Sequence, residues 1–148
     1  RVGLARAQVD RLTRTLGNVP LRKPVAGEID ASSGFGMRID PFIRAPAMHT
    51  GLDMRGETGD PVRATANGTV SVAGANGGYG KLVVIKHNQE YNSVYAHNQK
   101  LLVKEDDVVA KGQQIAELGS TEADRPKLHF EIRKQGKAVD PMKYLPAR

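Results

Sequence analysis

Cysteine is absent from the 148 residues. That excludes a disulfide framework and any thiolate metal site, so a metal held by this chain must be held through nitrogen and oxygen. Long apolar runs are missing as well. No stretch approaches the roughly 18 consecutive apolar residues of a membrane span, and no charged-then-apolar leader is present. Aromatic side chains are scarce, with three Phe and four Tyr. They are not interleaved with basic residues as a stacking platform for nucleic acid requires. Lys and Arg outnumber Asp and Glu by 22 to 16, a formal net charge of +6. The excess favours polyanionic surroundings, for which nucleic acid, anionic lipid headgroups and wall polymers all qualify. The aromatic shortage makes nucleic acid the weakest of the three.

The length suits one domain with its own core, and the Gly, Pro and β-branched content suits a sheet-rich body. The opening on Arg1 instead of Met leads us to expect a piece of a longer exported protein. Val2, Ala5, Val9, Leu12 and Leu16 step by three and four with Arg6, Asp10, Arg11 and Arg14 between them. This stripe predicts a short N-terminal helix, either laid on the domain or forming the tail of an upstream coiled coil. Gly17-Asn18 ends it, and Pro20 and Pro24 flank an extended linker. Residues 1–20 are therefore set apart from a main body at 21–148.

In that body, glycines from Gly34 to Gly80 separate short apolar runs, the punctuation of an antiparallel β protein. Leu82-Val-Val-Ile85 reads as a central strand, and His87-Asn-Gln-Glu90 as a hairpin leading into a strand at Tyr91–His97. Val108 to Gly119 is similar to the half-barrel segment of biotinyl and lipoyl carrier domains. Those domains carry two similar halves and this chain has no second copy, so a carrier role is not expected. In Lys127 to Arg133, the apolar Leu128, Phe130 and Ile132 alternate with Lys127, His129, Glu131 and Arg133. Lys127 and His129 therefore share a face, about 7 Å apart along the strand.

His49-Thr-Gly-Leu-Asp53 supplies an imidazole and a carboxylate, and His129 a second imidazole. Gly51 and Gly56 argue against a helix there and for a loop entering a strand. Two imidazoles and one carboxylate, with a fourth position left for water, are the donor set of a catalytic zinc. Alone, the His-x-x-x-Asp spacing is weak. With His129 on a clean strand and His97 at a strand end, the metal reading becomes the stronger one.

With Tyr95-Ala-His97 and Lys127-Leu-His129-Phe-Glu-Ile-Arg133, the stretch from about Leu21 to Leu145 resembles the M23 family of LytM-type zinc endopeptidases, which cut peptidoglycan peptides. The resemblance implies a mainly β fold, an antiparallel sheet related to a glucanotransferase-like half-barrel. It implies Zn²⁺ held by His49, Asp53 and His129, with His97 as one of two catalytic histidines. Lys127 stands where the family has the other, able to serve as a cation near an oxyanion. Arg38 and Tyr95 would face substrate, and His87 has no assigned role. The resemblance also implies a location in the periplasm or cell envelope beside peptidoglycan. Two functions follow from it. One is a zinc-dependent endopeptidase of cell-wall remodelling or division. The other is a catalytically impaired domain that binds and activates a cell-wall amidase at the divisome, because the second half resembles a degenerate branch with a basic residue at the position of Lys127. Glu122 to Pro126 is the segment placed to cover the groove.

Overall fold

The computed structural model describes residues 18–20, 22–26, 35–39 and 46–145, so the N-terminal helix lies outside the described residues. The glycine-punctuated runs form strands, nearly all in one antiparallel sheet. A separate two-stranded ribbon pairs β1 (Gly36–Ile39) with β2 (Pro46–His49), Gly36 standing opposite His49. Backbone linker bonds, from Arg22 N–H to the Thr65 carbonyl and from Arg63 N–H to the Pro24 carbonyl, lay residues 22–24 along the body.

The site-bearing part of the sheet is organised around β10 (Lys127–Lys134). One edge of β10 pairs with β3 (Leu52–Arg55) and then β11 (Lys137–Val139), and the other with β7 (Tyr91–Leu101). The alternation read from the sequence holds. Leu128, Phe130 and Ile132 are fully buried and join Leu52, Met54, Val83, Ile85 and Ile115 in the main core. Burying a side chain of this size stabilises by about 1.5–3 kcal/mol, so the strand's parity is strongly fixed.

The outer strands complete the sheet. β5 (Gly68–Ala75) pairs with β6 (Lys81–Lys86) and with the two-residue β8 (Val108–Val109), while β4 (Pro61–Arg63) pairs with β9 (Gln114–Leu118). β6 lies between β5 and β7 and is covered on both sides: Val83 and Ile85 face the main core, and Leu82 joins Val94 and Ala96 in a small second cluster. The hairpin at 87–90 is closed by Asn88, whose Oδ1 accepts from the backbone N–H of Glu90 and Tyr91 at 2.7 and 2.8 Å.

β7 changes partner partway along. Tyr95 pairs with Val83 and Asn98 with Lys81, so Ala96 and His97 together stand against Leu82. This is a β-bulge, and His97 takes φ 68° within it. Beyond the bulge β7 leaves β10 and pairs with β9.

Gly51, in the bend between β2 and β3, is required by space. A Cβ there would lie 2.2 Å from the Phe130 carbonyl oxygen and 2.9 Å from Glu131 Cγ. Substituting Gly51→Ala must push β3 away from β10. We expect a loss of about 1–3 kcal/mol in urea unfolding, with a stability equal to the parent as the contrary result.

Candidate metal centre

Pairing of β3 with β10 sets Asp53 directly opposite His129. His129 Nδ1 donates to Asp53 Oδ1 at 2.9 Å, and His49 Nε2, at the end of β2, lies 3.6 Å from the same oxygen. One ligand atom from each of the three lies within 4.8 Å of the others. A tetrahedral zinc at about 2.0–2.1 Å from each ligand needs donors roughly 3.3 Å apart, so a small closure would suffice. Two imidazoles and a carboxylate suit zinc and its borderline neighbours, and the residues fit a metal. All three side chains are nearly enclosed, at 10, 7 and 10% exposure for His49, Asp53 and His129. They line an open groove of about 390 Å³ with Thr50, Gly78, Tyr79, His97 and Lys127.

Lys127 Nζ lies 3.6 Å from Asp53 Oδ2 and 3.8 Å from Asp124 Oδ1. The Asp53 carboxylate is thus shared between two histidines on one oxygen and an ammonium on the other. His97 is aimed by the bulge, its ring centroid 6.1 Å from that of His129. Its Nδ1 donates to the Thr121 carbonyl at 2.8 Å, which leaves Nε2 as the acceptor atom. Thr121 is itself fixed: its hydroxyl donates to the Asn98 carbonyl and accepts from Lys81 N–H. A Cβ on Gly80 would lie 2.4 Å from Thr121 Oγ1, so this crossing also depends on a glycine.

Glu131 is the site residue that motif reasoning passed over. It is fully buried, and its carboxylate accepts from His129 Nε2 at 2.8 Å, Thr50 Oγ1 at 2.9 Å, Tyr79 hydroxyl at 2.9 Å and Arg133 Nε at 2.9 Å. Carboxylates placed behind a ligating imidazole fix its tautomer and orientation. The signal for Glu131 and Arg133 was present in the parity of β10. No local pattern points to Tyr79 or Thr121, which reach the groove from turns.

With both ring nitrogens of His129 facing carboxylates, the ring is held as an imidazolium. Burial works against that charge, but the bonds to Asp53 and Glu131 outweigh it and raise the pKa from 6.5 to about 9. Burial would raise Glu131, yet bonds from His129, Tyr79 and Thr50 lower it from 4.5 to about 2. Asp53 is likewise disfavoured by burial, but bonds from His129 and His49 and the nearby Lys127 charge hold it far below the usual carboxylate range. His97 is shifted down by burial, only partly offset by its bond to Thr121. At neutral pH His97 is therefore a neutral base, while His129 must release a proton to accept a metal.

Tyr95 does not face substrate: it is fully buried against Phe130, and its hydroxyl is bonded to Thr65 and Ser93. A residue two before His97 would share its face on a regular strand, but the bulge at Ala96–His97 breaks that parity. Arg38 lies in β1 by its backbone, and its side chain lies outside the described residues. His87 is buried and bonded to the Asn67 carbonyl and to Ser93 Oγ. None of Glu122 to Pro126 lines the groove; Asp124 reaches it through Lys127 Nζ at 3.8 Å, and the preceding Thr121 accepts from His97.

The charge cluster gives the metal-free domain a defined pH response. His129, raised to about 9, contributes stability that is complete below 6.5 and lost as pH climbs through 9. Glu131, lowered to about 2, contributes stability present above 4.5 and lost as pH falls toward 2. We expect urea midpoints of chelator-treated protein to fall between pH 6.5 and 9, and His129→Gln to flatten that limb. An equal slope in the variant would remove His129 as its source.

Comparison with known proteins places this geometry. The model of Peptidase family M23 matches residues 47–141, which include the ligand cluster, His97 and Lys127. The chain is 54% identical over 114 residues to a lipoprotein NlpD/LppB homolog of Pseudomonas aeruginosa, covering 76% of this chain and 38% of that protein. It is 47% identical over 114 residues to the murein hydrolase activator NlpD of Escherichia coli, covering 76% of this chain and 30% of the relative. It thus spans about a third of the length of these two relatives. Among solved structures, a zinc-containing peptidase from Vibrio cholerae superimposes with a TM-score of 0.70 at 33% identity, over 87% of this chain and 40% of that one. The mainly antiparallel fold, the His-x-x-x-Asp bend and the β10 histidine together carry the conclusion that this chain belongs to peptidase family M23.

Proposed function

We propose that this domain is the activating module of a murein hydrolase activator, binding a cell-wall amidase in the periplasm or cell envelope beside peptidoglycan. The observation that carries this reading is Lys127. Its ammonium sits on Asp53 inside the groove, at the position where the family resemblance implies a second catalytic histidine. Amide hydrolysis needs a group that takes a proton and later returns it. An ammonium engaged with a carboxylate is a donor with no lone pair to accept a proton. The relatives support the same reading, since the Escherichia coli protein is named a murein hydrolase activator.

The net charge of +6 suits residence at an anionic wall. The test is a dye-release assay on purified peptidoglycan with a cognate amidase. We expect hydrolysis by the amidase to rise several-fold when the domain is added and no release by the domain alone. No stimulation across the amidases of the source organism would sink this reading.

A second reading, a zinc endopeptidase, is favoured by one observation: the His49, Asp53 and His129 cluster is intact. Zinc bound there would supply a water of pKa about 7 and polarise a peptide carbonyl. His97 would take the proton of that water through Nε2, and Lys127 would face the developing oxyanion. Arg38 would bind substrate from β1. Under this reading, muropeptides appear by mass spectrometry on incubation of the zinc-loaded domain with cross-linked peptidoglycan, and His129→Ala abolishes them. Digestion that survives in His129→Ala would remove the cluster from the chemistry.

A further inference from the structure

Among the described residues, the ammonium of Lys127 reaches Asp53, and its placement bears on the metal cluster itself. Its Nζ approaches the carboxylate oxygen that His49 and His129 leave open, Oδ2, while they occupy Oδ1. Its side chain is only 25% exposed, against 70% for Asp124, its second partner at 3.8 Å. The ammonium therefore spans from a buried carboxylate to a solvated one. Asp53 cannot be given to a divalent cation while it also neutralises Lys127 without bringing two positive centres to one carboxylate. At such separations, and with water partly excluded, that repulsion is strong. Asp124 offers the displaced ammonium a partner one step further out.

We propose that Lys127 is a tethered counter-cation: its ammonium fills the electrostatic role of a metal at Asp53 in the metal-free domain. A divalent ion entering the His49, Asp53 and His129 cluster must drive it outward onto Asp124. The cluster is then a low-affinity, displaceable metal site, and the residue at position 127 sets its occupancy. Metal binding and the position of Lys127 are linked in both directions. Any partner that draws Lys127 away from Asp53 tightens the site for metal. The proposal stands apart from amidase activation, because metal affinity is read without an amidase or a wall substrate.

The experiment is zinc titration of the full chain by competition with a chromophoric chelator at neutral pH. Lys127→Met keeps the length of the side chain and removes its charge; we expect zinc to bind at least about tenfold more tightly. Lys127→Arg, which keeps the charge, should bind within about threefold of the parent. Lys134→Met removes a charge from the same strand that pairs with Glu90 at 3.3 Å, and should change nothing. Equal affinity in the parent and in Lys127→Met overturns the proposal while leaving the metal cluster standing. Absence of zinc binding in every variant overturns the cluster as well. A second measurement needs no variant: acetylation of the Lys127 amine, followed by mass spectrometry, should speed up when the parent is saturated with zinc. An unchanged labelling rate at saturation also overturns the proposal.

Discussion

Two carboxylates enter one groove in this domain, Asp53 from β3 and Glu131 from β10, and the arrangement around them depends on how their charges are met. Both are buried, at 5 and 0% exposure. An unpaired carboxylate at such depth would cost several kcal/mol, and removing one partner of a buried pair typically costs about 3–5 kcal/mol. His129 stands between them and donates to both. Its ring ties β10 to the β3 edge, and with Asp53 and His49 it forms the cluster able to receive a metal.

Charge is completed differently at the two ends. Glu131 is closed by Arg133, Tyr79 and Thr50 and has no oxygen left for substrate or metal. It acts on the site through the groups it holds, His129, Thr50 and Tyr79, as a positioning group. Asp53 is closed by Lys127, an ammonium on a flexible stem with a second carboxylate within reach. One end is therefore fixed by planar, multiply bonded partners, and the other by a single partner that can leave. That asymmetry makes Asp53, and not Glu131, the point where the groove can change state.

Much of this was legible in the sequence, and what was not has a physical reason. The parity of β10 could be read because one face must be apolar to reach the core, which fixes His129, Glu131 and Lys127 on the other. The bend at Thr50–Gly51 was readable from its glycine. That Asp53 lies opposite His129 was not, since strand register between distant segments follows from pairing and not from local spacing. The misplacement of Tyr95 has a sharper cause. Two residues apart means one face only on an uninterrupted strand, and no glycine announces the bulge at Ala96–His97, where a histidine itself adopts φ 68°. Tyr79 and Thr121 come from turns whose sequences carry no motif, so their approach to the groove had no local signal at all.

The bulge also explains how one long strand can serve two purposes. Before it, β7 pairs with β10 and presents Ala96 beside His129; after it, β7 pairs with β9 and anchors Asn98. His97 sits at the crossing, in a backbone region sparsely populated by non-glycine residues, with strain of about 1–3 kcal/mol. The surroundings hold it there through the Thr121 carbonyl and the Asn98 side chain, which donates to the Lys81 and Tyr95 carbonyls. A histidine needed only to fill space would not require this. The strain, the neutral ring and the engagement of Nδ1 leave Nε2 as the acceptor atom in a groove that Lys127 also lines. The groove therefore holds a strained, neutral histidine beside a His49, Asp53 and His129 cluster whose carboxylate charge is met by a lysine.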